Sequence, residues 1–382
     1  MPDSIRVDFN KPTLAGRELE YMQQAVSAAR ISGDGVFTEK CNKSLEEITT
    51  AKKALITTNC THALEMAALL LHLQPGDEVI IPSFTFVSTV NAFVLRGARP
   101  VFIDVRPDTL NLDETQLERL ITPRTKAIVP VHYAGVGCEM DSIVAIAQTH
   151  KIPIVEDNAH GLFGRFKGKP LGSFGVMATQ SFHETKNITC GEGGALLIND
   201  ESLVEEAEII REKGTNRSRF FRGMVDKYTW VMPGSSYLPS EILAAFLYGQ
   251  LENYQTIQQK RLHIWNRYWE LLHGWIETYG VRLPVVPVEC EHPAHMFYLL
   301  MPDLETRQNL IVYLKQRGIY TVFHYLPLHL SEMGKTLGGK PGDCPVTEEI
   351  SDQLVRLPLH TGLSDSDIDL VVEGIRDFLR QS

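Results

Sequence analysis

Short apolar strands alternate with amphipathic helices through the first half of this 382-residue chain. The strands are predicted at residues 53–58, 78–82, 100–105, 127–133, 152–156, 176–182 and 195–198. Helices of about 10–15 residues fall between most of them, which is typical of a parallel sheet covered by helices. The last two strands have a short connection, so we expect antiparallel neighbours there. The sequence therefore predicts an α/β fold around a mostly parallel, seven-stranded sheet.

The predicted helices place a second, smaller unit after the sheet. Those of the first part cover residues 18–29, 61–73, 89–96 and 140–149. A long helical stretch at 240–279 leads into a C-terminal region of mixed elements. It has strands at 296–301 and 321–325 and helices at 305–317 and 364–380. We predict a large α/β domain over residues 1–250 and a smaller α+β domain over residues 251–382.

Composition narrows the classes of protein that this chain can represent. It is 43% hydrophobic and 22% charged, with a net charge of -10, which argues against a nucleic-acid-binding protein. No apolar run reaches the length of a membrane span, and the N-terminus lacks the apolar core of a signal peptide. Six cysteines without a CxxC pair suit a reducing compartment. We expect a cytoplasmic protein without a membrane or nucleic-acid partner.

An amine and a carboxylate follow two of the predicted strands, where ligands of parallel sheets bind. Lys186 comes after strand 176–182, and Asp157 comes directly after strand 152–156. Pyridoxal phosphate requires such a pair, because the amine forms a Schiff base with its aldehyde and the carboxylate keeps its pyridine nitrogen protonated. His160, close to Asp157 in sequence, is within reach of the ring hydroxyl of the same cofactor.

Residues at other strand ends complete a predicted cofactor site. Cys60, Thr61 and His62 open a helix after a strand, and free N–H groups at a helix start favour a phosphate. Ser181 adds a hydroxyl to the same phosphate. Of the two phenylalanines that follow the second strand, Phe86 is the preferred one for stacking on a flat ring. Helix capping and core packing are the alternative interpretations of these residues.

A basic loop, REKGTNRSRFFRG, is the candidate substrate site. Lys213, Arg217, Arg219 and Arg222 suit a diphosphate, whereas a solvated loop or ion pairs with nearby acids is the alternative. No metal site is predicted: HETKN begins like a zinc motif, but Asn187 stands where the second His would be. No GxGxxG follows a strand, so a dinucleotide cofactor is not expected.

These residues and their surroundings resemble the DegT/DnrJ/StrS sugar aminotransferases, which are fold-type I pyridoxal phosphate enzymes. The resemblance runs nearly end to end, with its segments in the family's order: GDGVFTEK, TTNCTHALEMAALLL, VPVHYAGVGCEMD, VEDNAHG, SFHETKN, GEGGALLIND and FHYLPLH. It implies a homodimer with shared active sites and a role in polysaccharide biosynthesis.

The resemblance also implies individual roles. Lys186 would be the Schiff-base lysine, Asp157 would pair with the pyridine nitrogen, and His160, often Gln in relatives, would contact the ring hydroxyl. Phe86 would stack on the ring. The cofactor phosphate would be held by Cys60, Thr61, His62 and Ser181.

Two further positions carry implied contacts. Many relatives complete the phosphate site with an Asn of the neighbouring subunit, and Ser236, within GSSYLP, stands at that position here. His324, within FHYLPLH, joins the residues of the basic loop as a substrate contact. Cys60 also departs from the family, because most relatives have Gly there.

Four segments bear on the substrate: SFHETKN, KGTNRSRFFRG, VDKYTW and GSSYL. They most resemble members that transfer an amino group from glutamate to C4 of dTDP-4-keto-6-deoxy-D-glucose, giving dTDP-4-amino-4,6-dideoxy-D-galactose. A transaminase acting on a UDP-linked or C3-keto sugar is the main alternative. Sugar dehydratases of the same fold carry His in place of Lys186, and Lys186 and Asp157 also count against a non-catalytic binding module.

Overall fold

The computed structural model describes residues 6–381 as alternating strands and helices. The strands are β1 Lys53–Thr57, β2 Glu78–Pro82, β3 Arg99–Ile103, β4 Thr125–Ile128, β5 Val155–Asp157, β6 Arg165–Phe166, β7 Lys169–Pro170, β8 Met177–Ser181, β9 Gly194–Ile198, β10 Cys290–Glu291, β11 Phe297–Leu300, β12 Val322–Phe323 and β13 Leu354–Leu357. The helices are α1 Glu18–Ser27, α2 Val36–Thr49, α3 Cys60–Leu70, α4 Val87–Val94, α5 Leu117–Leu120, α6 Met140–His150, α7 Val204–Arg211, α8 Arg217–Phe221, α9 Glu241–Glu252, α10 Tyr254–Leu272, α11 Leu304–Gln316, α12 Glu332–Thr336, α13 Pro345–Gln353 and α14 Asp365–Gln381.

Seven strands form the central layer in the order β1-β9-β8-β5-β4-β2-β3. The two halves, β1-β9-β8-β5 and β3-β2-β4, meet through parallel bridges between Ile128 and Ile154 and between Val131 and Asp157. Strand β9 is antiparallel to β1 and β8, whereas β5–β8, β2–β4 and β2–β3 are parallel pairs. The predicted α/β sheet of seven mostly parallel strands is confirmed, and so is the antiparallel pairing of β8 with β9.

Several strands are shorter than predicted, and the fourth differs most. The sequence predicted a strand over 127–133, but β4 ends at Ile128. The N–H of Val129 still donates to the carbonyl of Ile80 over 2.9 Å, and then Pro130 interrupts the ladder. Proline has no N–H to donate, so regular pairing stops there. Beyond it, Val131 forms a single bridge to Asp157 of β5, and both residues line the cavity described below.

The predicted helical stretch at 240–279 is two helices. Helix α9 ends at Glu252, Asn253 leaves the helical conformation, and α10 runs from Tyr254 to Leu272. Helix α10 packs in two of the hydrophobic clusters, since Ile257 lies in the cluster around α2 and α9, whereas Ile264 lies in the C-terminal cluster. The C-terminal cluster surrounds the antiparallel sheet β11-β13-β12 with helices α11 and α14, which makes the C-terminal part α+β. The boundary at residue 250 stays a prediction.

Helix α2 was not predicted, and its start depends on a distant residue. The buried carboxylate of Glu241, on α9, accepts hydrogen bonds from the N–H groups of Gly35, Phe37 and Thr38 over 2.8–3.0 Å. These donors belong to the first turn of α2, where a helix cannot satisfy its own N–H groups. A carboxylate also complements the positive end of the helix dipole. Local sequence gives no capping residue there, because Gly35 precedes the helix.

Within residues 6–381, no helix combines the length and the apolar character needed to cross a membrane.

A buried carboxylate fixes the end of β5. Glu156 is fully buried, and its Oε1 accepts hydrogen bonds from the N–H groups of Phe174 and Gly175, each over 2.7 Å. Its Oε2 accepts from the N–H of Gly172 over 2.8 Å and lies 2.9 Å from Nε2 of His132. Four donors compensate the desolvation of one charge, so the loop before β8 is held against the end of β5.

We expect Glu156→Gln to lower the free energy of unfolding by about 3 kcal/mol. The amide keeps the volume but has one accepting oxygen, and its NH₂ group would face buried donors. The measurement is chemical denaturation followed by fluorescence, with the exposed Glu373→Gln as the matched control. A loss below about 1 kcal/mol, close to that of an ordinary surface change, would contradict this account.

Candidate active site

A cavity of about 680 Å³ opens at the carboxyl edge of the sheet. Its walls come from the start of α3, the loop before α4, the end of β5, the loop between β8 and β9, and segments near β11, β12 and β13. The predicted site residues that line it are Cys60, Thr61, Phe86, Asp157, His160, Ser181, Lys186 and His324. Those that do not line it are His62, Lys213, Arg217, Arg219, Arg222 and Ser236.

Asp157 is oriented by two hydrogen bonds at the end of β5. Its Oδ2 accepts from the hydroxyl of Thr89 over 2.7 Å, and its Oδ1 accepts from the N–H of Ala159 over 3.1 Å. The hydroxyl of Thr85 lies 2.8 Å from that of Thr89 and continues the network. The carboxylate is buried and forms no ion pair within residues 6–381. A buried anion of this kind is suited to a cationic ligand, such as a protonated pyridine ring.

The loop that carries Lys186 is anchored through the next residue. The side-chain amide of Asn187 donates to the carbonyl of Pro293 over 2.7 Å and to Gln258 over 3.1 Å. Its Oδ1 lies 2.9 Å from Nδ1 of His295. These contacts join the loop to α10 and to the chain before β11. The position of the Lys186 amine therefore depends on both parts of the protein.

The amine of Lys186 is poised for nucleophilic chemistry. The pKa of Lys186 is lowered from 10.5 to about 8, chiefly by burial and to a lesser extent by the cation of Arg356, whereas Cys60 and Asp157 act in the opposite direction. With a pKa near 8, about a tenth of the amine is neutral at pH 7, far more than at an ordinary lysine. The neutral amine is the form that attacks an aldehyde.

Three histidine rings are stacked along one wall. The ring of His160 lies 4.3 Å from that of His295 and 6.1 Å from that of His324, both nearly parallel to it. Burial and the cations of Lys186 and Arg356 hold the pKa of each histidine well below its ordinary value, so all three are neutral. Nδ1 of His160 is buried without a hydrogen-bond partner within the described residues. It is free to bond a hydroxyl of a ligand.

Polar groups gather where α3 begins. Oδ1 of Asn59 caps the helix by accepting from the N–H of His62 over 2.8 Å, so that N–H is already satisfied. The ring of His62 packs edge-on against Tyr237, which explains why it does not reach the cavity. The hydroxyl of Thr61 lies 2.8 Å from that of Ser88 on the facing helix α4. The assignment of His62 to a phosphate stays a prediction.

Glycine is required beside this helix start. Gly194 lies in the sheet between Thr57 and Ser181, and a Cβ on it would come within 2.4 Å of the backbone nitrogen of Cys60. A side chain there would push α3 away from Ser181. Burial raises the pKa of Cys60 to about 12, so its thiol carries no charge that would repel a phosphate.

Phe86 presents its ring at the mouth of the cavity. It precedes α4 as the capping residue, its side chain is 57% exposed, and its ring centroid lies 6.2 Å from that of Tyr325. Phe84, by contrast, is buried in the core beside Tyr133. The exposed ring is thus the one available to a flat ligand, and stacking by Phe86 stays a prediction.

The basic loop lies outside the cavity of its own chain. Its residues pair with acids of or next to α7: Lys213 and Arg217 with Glu212, Arg219 with Glu205, and Arg222 with Glu208. Ser236 is exposed and bridges to Glu212 through the backbone. Ion pairing was the alternative that the sequence left open for this loop. Substrate binding by these residues stays a prediction.

Sequence reasoning missed five residues of the site: Thr89, Asn187, His295, Tyr325 and Arg356. Thr85 and Thr89 are four residues apart at the start of a predicted helix, a spacing that could have identified the partner of Asp157. Arg356 lies in β13, far along the chain from the other cavity residues, and nothing in its local sequence indicates the site.

Comparisons with known proteins identify the family. The model of the DegT/DnrJ/EryC1/StrS aminotransferase family matches residues 12–376. The chain is 34% identical to GDP-perosamine synthase of Caulobacter vibrioides, covering 99% of this chain and 100% of that protein. It is 32% identical to the spore coat polysaccharide biosynthesis protein SpsC of Bacillus subtilis, covering 97% of each. The chain belongs to the DegT/DnrJ/EryC1/StrS aminotransferase family.

A solved structure agrees with this assignment. Spr1654 of Streptococcus pneumoniae, described as a candidate sugar aminotransferase, has in its PMP form a TM-score of 0.92 with this chain, at 28% identity, covering 98% of this chain and all of that one. Its PLP form matches with a TM-score of 0.91. The fold is that of the fold-type I aminotransferases, and the cofactor is pyridoxal phosphate. The open side of Asp157, the unpaired Nδ1 of His160 and the depressed pKa of Lys186 fit this cofactor.

Lys186 of the cofactor-free protein should react with trinitrobenzenesulfonate with a pH midpoint near 8, because the reagent attacks neutral amines. Labelling rises as pH increases through the pKa, and mass spectrometry of the Lys186 peptide measures it. A free lysine derivative in the same buffers is the reference, with a midpoint near 10.4. A midpoint for Lys186 as high as that of the reference would contradict the effect of burial.

Proposed function

We propose that this aminotransferase moves an amino group from glutamate to C4 of dTDP-4-keto-6-deoxy-D-glucose, giving dTDP-4-amino-4,6-dideoxy-D-galactose. The observation that supports amino transfer is the meeting of Lys186, with its depressed pKa, and the unpaired carboxylate of Asp157 in one cavity. The identity of the sugar is supported by the resemblance of four segments to family members that act on it: SFHETKN, KGTNRSRFFRG, VDKYTW and GSSYL. GDP-perosamine synthase, a relative, is named for a nucleotide-linked sugar with a different base.

The proposed chemistry divides between cofactor and chain. Pyridoxal phosphate supplies an electron sink that stabilises negative charge on the carbon next to nitrogen. Lys186 would hold the cofactor through its amine and would move a proton between the donor α-carbon and C4′ of the cofactor. Asp157 would keep the ring nitrogen protonated, His160 would contact the ring hydroxyl, and Phe86 would cover one face of the ring.

The phosphate end of the cofactor is assigned to the start of α3. Thr61 and Ser181 would donate hydroxyl hydrogen bonds to it, and the neutral thiol of Cys60 stands beside them. A helix N-terminus adds its dipole and free N–H groups. The close approach of Gly194 to this turn keeps the two donating segments together.

We also propose a homodimer in which each subunit completes the site of the other. Large apolar side chains lie exposed between residues 220 and 231, among them Phe221 at 70% and Trp230 at 74%. Exposed apolar groups of this size suit burial by a partner. Ser236 follows this segment, so an interface there would bring it to the partner's cofactor phosphate. The basic loop and His324 would then hold the sugar nucleotide.

A role in polysaccharide assembly such as that of enterobacterial common antigen, and a cytoplasmic location, are parts of the same proposal. They are supported by the resemblance and by the name of the relative SpsC. A transaminase for a UDP-linked or C3-keto sugar is the second candidate, because none of the described contacts selects the base or the reacting carbon.

Incubation with glutamate and dTDP-4-keto-6-deoxyglucose should give a 4-amino sugar with the axial C4 amine of the galacto configuration. NMR of the purified product identifies the carbon that carries nitrogen, and the small coupling between H3 and H4 reports the axial position. UDP-linked and C3-keto sugars are run in parallel, and Lys186→Ala is the inactive control. If only the other sugars are turned over, the proposed substrate is wrong and one of those sugars takes its place. If none of the sugars is turned over and glutamate causes no spectral change, the proposed aminotransferase activity is refuted.

Mixed dimers test the shared site. Lys186→Ala and Ser236→Glu should each be inactive alone, the second because a carboxylate would repel the cofactor phosphate. Co-expressed, they should recover about a quarter of wild-type activity, since half the dimers are mixed and each has one site with both residues intact. The matched control is Lys186→Ala with Asp157→Ala, two changes in one chain's site, which should recover nothing. A mixture with Ser236→Glu that is no more active than its parents would contradict the shared site.

A further inference from the structure

Arg356 is a cation of the cavity that the proposed chemistry has not yet used. It lies in β13, lines the cavity together with Lys186 and Asp157, and also lines a small adjoining space next to Phe9, Thr185 and His295. Its Nε is buried without a hydrogen-bond partner, and within residues 6–381 the guanidinium makes no ion pair. The guanidinium thus lines the cavity without an ion pair to either carboxylate there, that of Asp157 or that of Glu192.

The groups around Arg356 tolerate its charge without neutralising it. Its guanidinium carbon lies 4.9 Å from the ring centroid of Phe9, and the phenols of Tyr133 and Tyr325 interact favourably with it. The neighbouring histidines are neutral, and Lys186 carries the same sign of charge. Burying an unpaired cation is costly, so this arrangement is suited to an anion that arrives as a ligand.

The chemistry of the two substrates indicates which of their anionic groups could bind Arg356. An amino-acid donor carries its carboxylate on the carbon that gives up nitrogen, so this anion must lie beside the reacting atoms and Lys186. The keto sugar has only hydroxyl, methyl and ring groups around C4, and its charge lies on the diphosphate beyond C1. Guanidinium forks bind carboxylates in a bidentate manner. The cofactor phosphate is accounted for at the start of α3.

We propose that Arg356 binds the α-carboxylate of the amino donor, and therefore acts in the donor half-reaction and not in the amination of the sugar. This inference rests on the proposed function only in that the donor is an α-amino acid. The identity of the acceptor sugar does not enter it.

The two half-reactions are measured separately. Rapid-mixing absorbance follows the cofactor of the holoenzyme on adding glutamate, and the pyridoxamine-loaded enzyme on adding the keto sugar that product analysis identifies. Arg356→Gln should lower kcat/KM of the donor half about 100-fold, the scale expected for a lost charge-assisted pair, and change the acceptor half by less than about threefold. Arg356→Lys, which keeps the charge without the fork, should recover part of the loss. Arg376→Gln, outside the cavity, should change neither half.

A donor analogue tests the same contact by removing the α-carboxylate from the amino donor and leaving the protein unchanged. With 4-aminobutanoate, a glutamate without its α-carboxylate, wild type and Arg356→Gln should react at similar rates, because the contact is already absent. Calorimetric binding of unreactive glutarate should also weaken in Arg356→Gln but remain in Arg376→Gln. These readouts do not depend on turnover of the sugar, so they stand even where the proposed acceptor is wrong.

Three results would overturn the proposal. A donor half unaffected by Arg356→Gln would show that the residue does not bind the donor. Equal losses in both halves would assign Arg356 to the cofactor or to the sugar nucleotide. A loss with 4-aminobutanoate as large as that with glutamate would show that the guanidinium acts on something other than the α-carboxylate. Normal acceptor kinetics in the variant also verify that it is folded.

Discussion

The hydrogen bonds of Glu156 are the constraint on which the site depends. Successive side chains of a strand point to opposite faces, so Glu156 and Asp157 face different surroundings at the end of β5. Glu156 is fixed within the protein by three N–H groups and His132, and this fixes the strand end and the loop before β8. Asp157 is thereby left facing the cavity, where Thr89 orients it. One carboxylate supplies the structure that lets its neighbour act as a ligand.

The electrostatics of the cavity differ from those of the whole chain. The protein carries a net charge of -10, yet the cavity gathers two cations, Lys186 and Arg356, beside the buried carboxylate of Asp157. The three histidines add no charge, because burial holds them neutral. Glu192 also lines the cavity, so the cations and carboxylates there are equal in number. Lys186 and Arg356 are the groups in it that suit anionic reactants: a cofactor phosphate, a dicarboxylic donor and a nucleotide diphosphate.

The parts of the site that the sequence predicted share one property: they follow strands whose apolar runs are unmistakable. Lys186 and Asp157 were found this way, because the carboxyl ends of parallel strands converge wherever the sheet order places them. His295 and Arg356 come from the C-terminal part, and their approach depends on how two cores pack against each other. Helix α2 was missed for a related reason, because its capping group, Glu241, is remote in sequence. Local patterns carry no information about such contacts.

The remote cap has a consequence for how the chain acquires its structure during synthesis. Phe37 and Glu241 are 204 residues apart, so at ribosomal rates of 5–20 residues per second the first turn of α2 waits about 10–40 s for its carboxylate. Strand β1 waits about two thirds as long, since Gly194 of its pairing partner β9 comes 137 residues after Thr57. The N-terminal segments therefore leave the ribosome early but form their native contacts late. During that interval their apolar side chains are exposed without their native partners, which favours aggregation of the nascent chain.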